Sequence, residues 1–125
     1  MNRYIYFANR DEFYRINSSQ IVFFTADGNY TYLQLASHQK PLAFTFSLHK
    51  MQAYLSEKLG DDARTFARIG KSHIVNLAYI YHIDISKQRL RLFDESNGKE
   101  YSIPVSKEAL KKLKEKLTAS QTIIQ

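Results

Sequence analysis

Residues 66–80 read FARIGKSHIVNLAYI, and this stretch constrains the fold more than any other. Apolar side chains crowd both ends of it, while Gly70, Lys71 and Ser72 in the middle cannot be core. A short strand, a tight exposed turn and a buried return satisfy both demands. The turn then holds one cation, Lys71, out in solvent on a stiff base.

The flanking sequence has the same grain. Residues 4–8 (YIYFA) and 12–16 (EFYRI) are strands separated by the turn residues Asn9, Arg10 and Asp11, so the chain opens with a hairpin. IVFF (21–24) is a buried strand, and Asp27-Gly28-Asn29 is a strong turn signal before a strand at 30–35. A further short strand covers 42–46. Ser47 then caps a helix whose Leu48, Met51, Leu55 and Leu59 recur at helical spacing, with Gly60 as its stop. Strands follow at 66–69, 79–85, 89–93 and 101–105, with an Asn-Gly hairpin turn at 96–99. Ser106 caps a second helix, KEALKKLKEKL, with an apolar stripe of Ala109, Leu110, Leu113 and Leu117. The tail at 118–125 has no periodicity; Ile123 and Ile124 either fray with it or dock. The sum is about eight short strands and two helices, a mainly β chain of antiparallel pieces, read as one domain over 1–117.

Charge narrows the partners. The chain carries 18 Lys plus Arg against 12 Asp plus Glu, a net +6. Residues 64–91 hold six cations (Arg64, Arg68, Lys71, Lys87, Arg89, Arg91) and one anion, Asp84, and residues 106–117 add five lysines. Such crowding in the second half suits a phosphate backbone. Abundant Tyr and Phe leave open a single-strand or RNA binder, and the basic surface alone also fits a module that grips an acidic protein.

Enzymatic machinery is not visible. With no cysteine, thiol catalysis, disulfides and thiolate metal sites are excluded together. His38, His49, His73 and His82 match no zinc spacing, and no phosphate loop or nucleophile elbow occurs. No metal and no cofactor is expected. The N-terminus lacks an apolar signal core and no run is long enough to span a bilayer, so a soluble cytoplasmic protein is expected.

Three boxes in order make the reading specific: ADGNY at 26–30, S-H-I-V-N at 72–76 and P-V-S-K at 104–107. With the helix SLHKMQAYL between the first two, residues 21–117 resemble the LytTR DNA-binding domain of bacterial response regulators, and the leading hairpin suits that family's first strands. The resemblance implies an elongated domain of small antiparallel sheets with two short helices. It implies that loops, rather than a recognition helix, enter successive major grooves of promoter DNA. It also implies binding to paired direct repeats as two copies, and regulation by a sensor kinase or receiver partner in a two-component system. There is no room for a receiver ahead of the first hairpin, and Met1 so close to a first strand favours a stand-alone regulator over an excised domain.

Carried over residue by residue, the base-reading candidates are Asn29, Tyr30 and Thr31 in the first loop, Lys71 in the second and Lys107 in the third. Tyr30 either stacks on the nucleic acid or opens its strand with the ring toward the core, the packing its pattern favours. Lys71 and Lys107 are otherwise plain exposed lysines, and Asn29 otherwise only a turn former. The backbone-contact candidates are Arg68, Ser72, Asn76, Lys87, Arg89, Arg91, Ser106 and Lys111, with Ser72 and Asn76 at positions that are either structural or phosphate-contacting. Arg89 and Arg91 share one strand face with Phe93. Three departures matter. Gly70 stands where the family has His, and Lys71 and Lys107 stand where Arg is common. Arginine meets guanine with a rigid fork and lysine with a flexible point charge, so softer base selectivity is expected.

Overall fold

A computed structural model describes residues 3–124. Ten strands and two helices follow the order β1 (Tyr4–Ala8), β2 (Phe13–Asn17), β3 (Ile21–Asp27), β4 (Tyr30–Leu35), β5 (Leu42–Phe44), α1 (Leu48–Leu59), β6 (Phe66–Ile69), β7 (His73–Asn76), β8 (Ile80–Asp84), β9 (Arg89–Asp94), β10 (Lys99–Pro104) and α2 (Lys107–Ala119). They form three sheets, each pairing antiparallel: β1-β2, β5-β4-β3-β7-β6 and β10-β9-β8. The chain divides into two compact units, one ending at Ala78 and one beginning at Tyr79.

In the first unit, one face of the five-stranded sheet is covered by α1 and the opening hairpin. Helix α1 buries the stripe Leu48, Met51, Leu55 and Leu59 that its spacing predicts. These meet Phe24, Leu33, Phe44 and Ile74 from the sheet and Ile5, Phe7 and Ile16 from the hairpin. Full burial of side chains this size stabilises by about 1.5–3 kcal/mol each. Ser47 accepts a hydrogen bond from the Lys50 amide (3.1 Å), and Gly60 ends the helix at φ 56°. The Tyr54 hydroxyl donates to the Tyr6 carbonyl (2.7 Å) and accepts from its amide (3.1 Å), which pins α1 to β1.

In the second unit, Leu90, Leu92, Ile103, Leu110 and Leu113 are buried, and α2 packs on β8. Ser106 caps α2 by accepting from the Ala109 amide (3.3 Å). The helix runs to Ala119, two residues past the expected end. Ile123 and Ile124 are exposed, Ile124 almost fully, so neither is docked into a core. Among the described residues, no helix is long and apolar enough to cross a membrane.

One strand boundary corrects the sequence reading, and the buried return takes a definite form. The return after Ser72 is a strand of its own, β7, separate from β8. Asn76 accepts the Ala78 amide (3.0 Å) at the start of a one-turn 3₁₀ segment, Leu77–Tyr79, which breaks the strand. Strand β5 stops at Phe44, because the Phe46 carbonyl is drawn to the Thr31 hydroxyl (2.6 Å) just before the Ser47 cap.

Candidate nucleic-acid interface

Two hairpin tips meet at one end of the five-stranded sheet. In the first, Asp27 pairs with Tyr30 and leaves Gly28-Asn29 as a two-residue turn. Gly28 takes φ 62° while Asn29 stays at ordinary negative φ, the pattern of a hairpin turn with glycine first. In the second, Ile69 pairs with His73 and leaves Gly70, Lys71 and Ser72 at the tip. Strand β3 is shared: Thr25 lies opposite His73, and the Ala26 amide donates to the Ser72 carbonyl (2.8 Å). The Asn29 and Lys71 tips are therefore neighbours by register. Thr45 and Ser47, just ahead of α1, close a shallow cleft of about 280 Å³ beside Asn29 and Tyr30.

Tyr30 is 47% exposed, which overturns its expected place in the core. In β4 it is Thr31, Leu33 and Leu35 that turn inward, so Tyr30 and Tyr32 face out with ring centroids 6.0 Å apart. Thr31 is the opposite case. It is 1% exposed and its hydroxyl donates to the Phe46 carbonyl, so it holds the loop and cannot read a base edge from this position. Asn76 is likewise removed from the backbone-contact set. It is 2% exposed, donates to the Ile21 carbonyl (2.9 Å) and accepts the Ala78 amide, so its side chain stitches β7 to β3. Burial defeated both assignments, because residue type alone does not say which face of a strand a polar side chain occupies.

Arg68 is exposed but engaged. Its guanidinium donates to the Gln52 Oε1 on α1 (3.0 Å) and to the Lys71 carbonyl (2.9 Å). No spacing rule in the sequence pointed to this clasp or to Gln52, since the partners lie 16 residues apart on different elements.

The second unit gathers a second basic cluster at one end of its three-stranded sheet. Arg89 pairs with Pro104, and the Val105 amide donates to the Gln88 carbonyl (3.1 Å), which brings the β8–β9 turn beside the start of α2. Lys87, Arg89, Ser106 and Lys107 thus share one end of the sheet, with Lys111 one helical turn further on, and all are exposed. The turn is braced by Asp84, whose carboxylate accepts the Lys87 amide (3.0 Å) and the Ser86 hydroxyl (2.9 Å). Those hydrogen bonds hold its carboxyl below the usual value. Alternation along β9 buries Leu90, Leu92 and Asp94 and turns Arg89, Arg91 and Phe93 to the other face, as expected. Arg91 is half-buried and lies 3.7 Å from Glu100, which offsets part of its charge.

His73, just past the Lys71 tip, is half-buried, and burial pushes its imidazole below the ordinary value of 6.5. Protonation therefore favours the unfolded chain. His73's contribution to stability is complete above pH 6.5 and is lost as pH falls from there toward the lower folded value. We expect the thermal midpoint to drop on acidification through this window. His73→Phe should remove that component, and an unchanged pH profile in the variant would refute the assignment.

A family model described as the LytTr DNA-binding domain matches residues 11–118. The LytTr DNA-binding domain of a protein described as a methyl-accepting/DNA response regulator from Bacillus cereus has a similar structure, with a TM-score of 0.62. It shares 20% identity over 92% of this chain and 96% of that one. None of the curated proteins matches the chain significantly.

Proposed function

The chain belongs to the LytTr DNA-binding domain family, and on that premise we propose that it binds duplex promoter DNA sequence-specifically through loop tips set in the major groove. The observation that carries this reading is the pair of tips, Gly28–Asn29 and Gly70–Ser72, held side by side on one sheet end by the Ala26–Ser72 hydrogen bond. Tips on a rigid sheet can present donors at defined positions to base edges. Asn29, Tyr30 and Lys71 are the readers from the first unit and Lys107 the reader from the second. Ser72, Lys87, Arg89, Arg91, Ser106 and Lys111 contact the backbone, and the capped start of α2 adds free amides that suit a phosphate. The chain acts as a bacterial transcriptional regulator in the cytoplasm. Two copies bind paired direct repeats, under a sensor kinase or receiver partner.

Selection of bound duplexes from a random pool tests this. A recovered motif, repeated at a spacing of about one helical turn, is the expected result. Recovery of sequence-blind pools would refute it. The same pool in single-stranded form separates the rival reading, which would use the exposed Tyr6 and Phe13 rings of the opening hairpin, stacked 5.9 Å apart. Preference for single strands that is lost in Tyr6→Ser and Phe13→Ser would establish that rival.

The lysine at the second tip supports its own prediction. Lys71→Arg should sharpen discrimination against a mismatched site by about 1 kcal/mol, the low end for a bidentate guanine contact. Lys71→Ala should flatten it. Competition binding on matched and mismatched duplexes reads both, and an arginine variant that discriminates no better counts against Lys71 as a reader.

A further inference from the structure

The turn that carries Lys71 has little to hold it. Gly70 sits at φ 62° with open space where a side chain would stand, and glycine leaves the turn more conformations to lose than any other residue would. Two successive carbonyls at the tip are nonetheless tied down. The Ser72 carbonyl accepts from the Ala26 amide of β3, and the Lys71 carbonyl accepts from the Arg68 guanidinium. Arg68 is in turn held on α1 by Gln52. The register places Arg68 opposite Ile74, whose neighbour across the sheet is Phe24, so Arg68 emerges on the sheet face that α1 covers. A planar fork can satisfy acceptors on two elements at once, whereas an ammonium on a flexible stem has no such preset geometry.

We infer that Arg68 is a positioning residue for the Lys71 tip, anchored by Gln52, and that it is not a phosphate contact. This rests on the reading of Lys71 as a groove-facing residue. Base discrimination then depends on a side chain that touches no base, and through Gln52 it depends on the seating of α1. The cation directs two of its N–H groups at protein acceptors.

Two variants separate the roles. Arg68→Lys keeps the charge and removes the fork; Gln52→Ala removes the anchor and changes no charge. Each is compared with the parent in two measurements. One is the backbone ¹⁵N order parameter of Gly70, Lys71 and Ser72 in the free protein. The other is the ratio of affinities for the selected duplex and a mismatched one, with the salt slope recorded alongside. Lower order at the tip is expected in both variants. So is a loss of about threefold to tenfold in the affinity ratio, as suits one or two modest hydrogen bonds, with the salt slope unchanged. Unchanged order in both variants overturns the inference. So does an intact ratio in Arg68→Lys, the result a plain phosphate contact would give. If the parent itself shows no preference between duplexes, the DNA-reading proposal fails, and the order parameters alone still decide whether Arg68 braces the turn.

Discussion

Raising salt from 50 to 200 mM is expected to weaken binding to the selected duplex about a hundredfold. Each phosphate neutralised contributes about −0.9 to the slope of log affinity against log salt. Four exposed or half-exposed cations meet the backbone on the proposed reading: Lys87, Arg89, Arg91 and Lys111. Their slope is about −3.6, and a fourfold rise in salt then lowers affinity by roughly two decades. Arg91 weighs least, because Glu100 already sits beside it. Arg68 is outside the sum on the inference that it positions the Lys71 tip rather than meeting a phosphate. Anisotropy titrations across that range give the slope directly. Neutralising Lys87 or Lys111 should each flatten it by about one unit with little change in sequence preference. A parent slope shallower than about −1 would show that most of these cations never meet the backbone.

Replacing Asn76 with alanine is expected to lower unfolding free energy by about 2–3 kcal/mol and leave duplex affinity where it was. The carboxamide is buried and works at both ends, donating to Ile21 across the sheet and accepting from Ala78 at the strand break. Removing it strips a buried carbonyl of this donor, which costs about 1–3 kcal/mol, and the strand-breaking turn loses its acceptor as well. Asn76→Asp should be worse, since a carboxylate would face the Ile21 carbonyl with no proton to donate and little water to stabilise it. Urea denaturation gives the stability, and binding is measured at a temperature where the variant remains folded. A fully stable Asn76→Ala protein with weakened duplex binding would return Asn76 to the backbone-contact set and sink the structural assignment.

Much of this fold can be read directly from residue patterns. The stripe of α1, its Ser47 cap and Gly60 stop, and the Ser106 cap of α2 all stand where their spacing places them. These are local devices, each complete within one or two helical turns. Strand edges were less legible. The break between β7 and β8 hangs on one side-chain hydrogen bond, and the end of β5 on a bond to Thr31 fifteen residues earlier. The candidate site divides the same way. Lys71 and Asn29 stand on exposed turns because glycine-containing tips between apolar strands leave no alternative. Thr31 and Tyr30 exchanged their expected places, since both are common strand residues and only the register of β4 against β3 and β5 tells which one faces the core.

Local chemistry, then, was determined by the amino-acid order: which segments turn, where helices start, that the surface is basic, and which family the boxes resemble. The tertiary structure decided what those pieces do to one another. It set Ala26 beside Ser72, Arg68 between Gln52 and the Lys71 carbonyl, and Asn76 beneath Ile21. The physical reason is range. Capping and turn formation act over a few bonds and leave a mark in composition. Strand pairing joins residues tens of positions apart, and any polar side chain that meets the geometry can serve there.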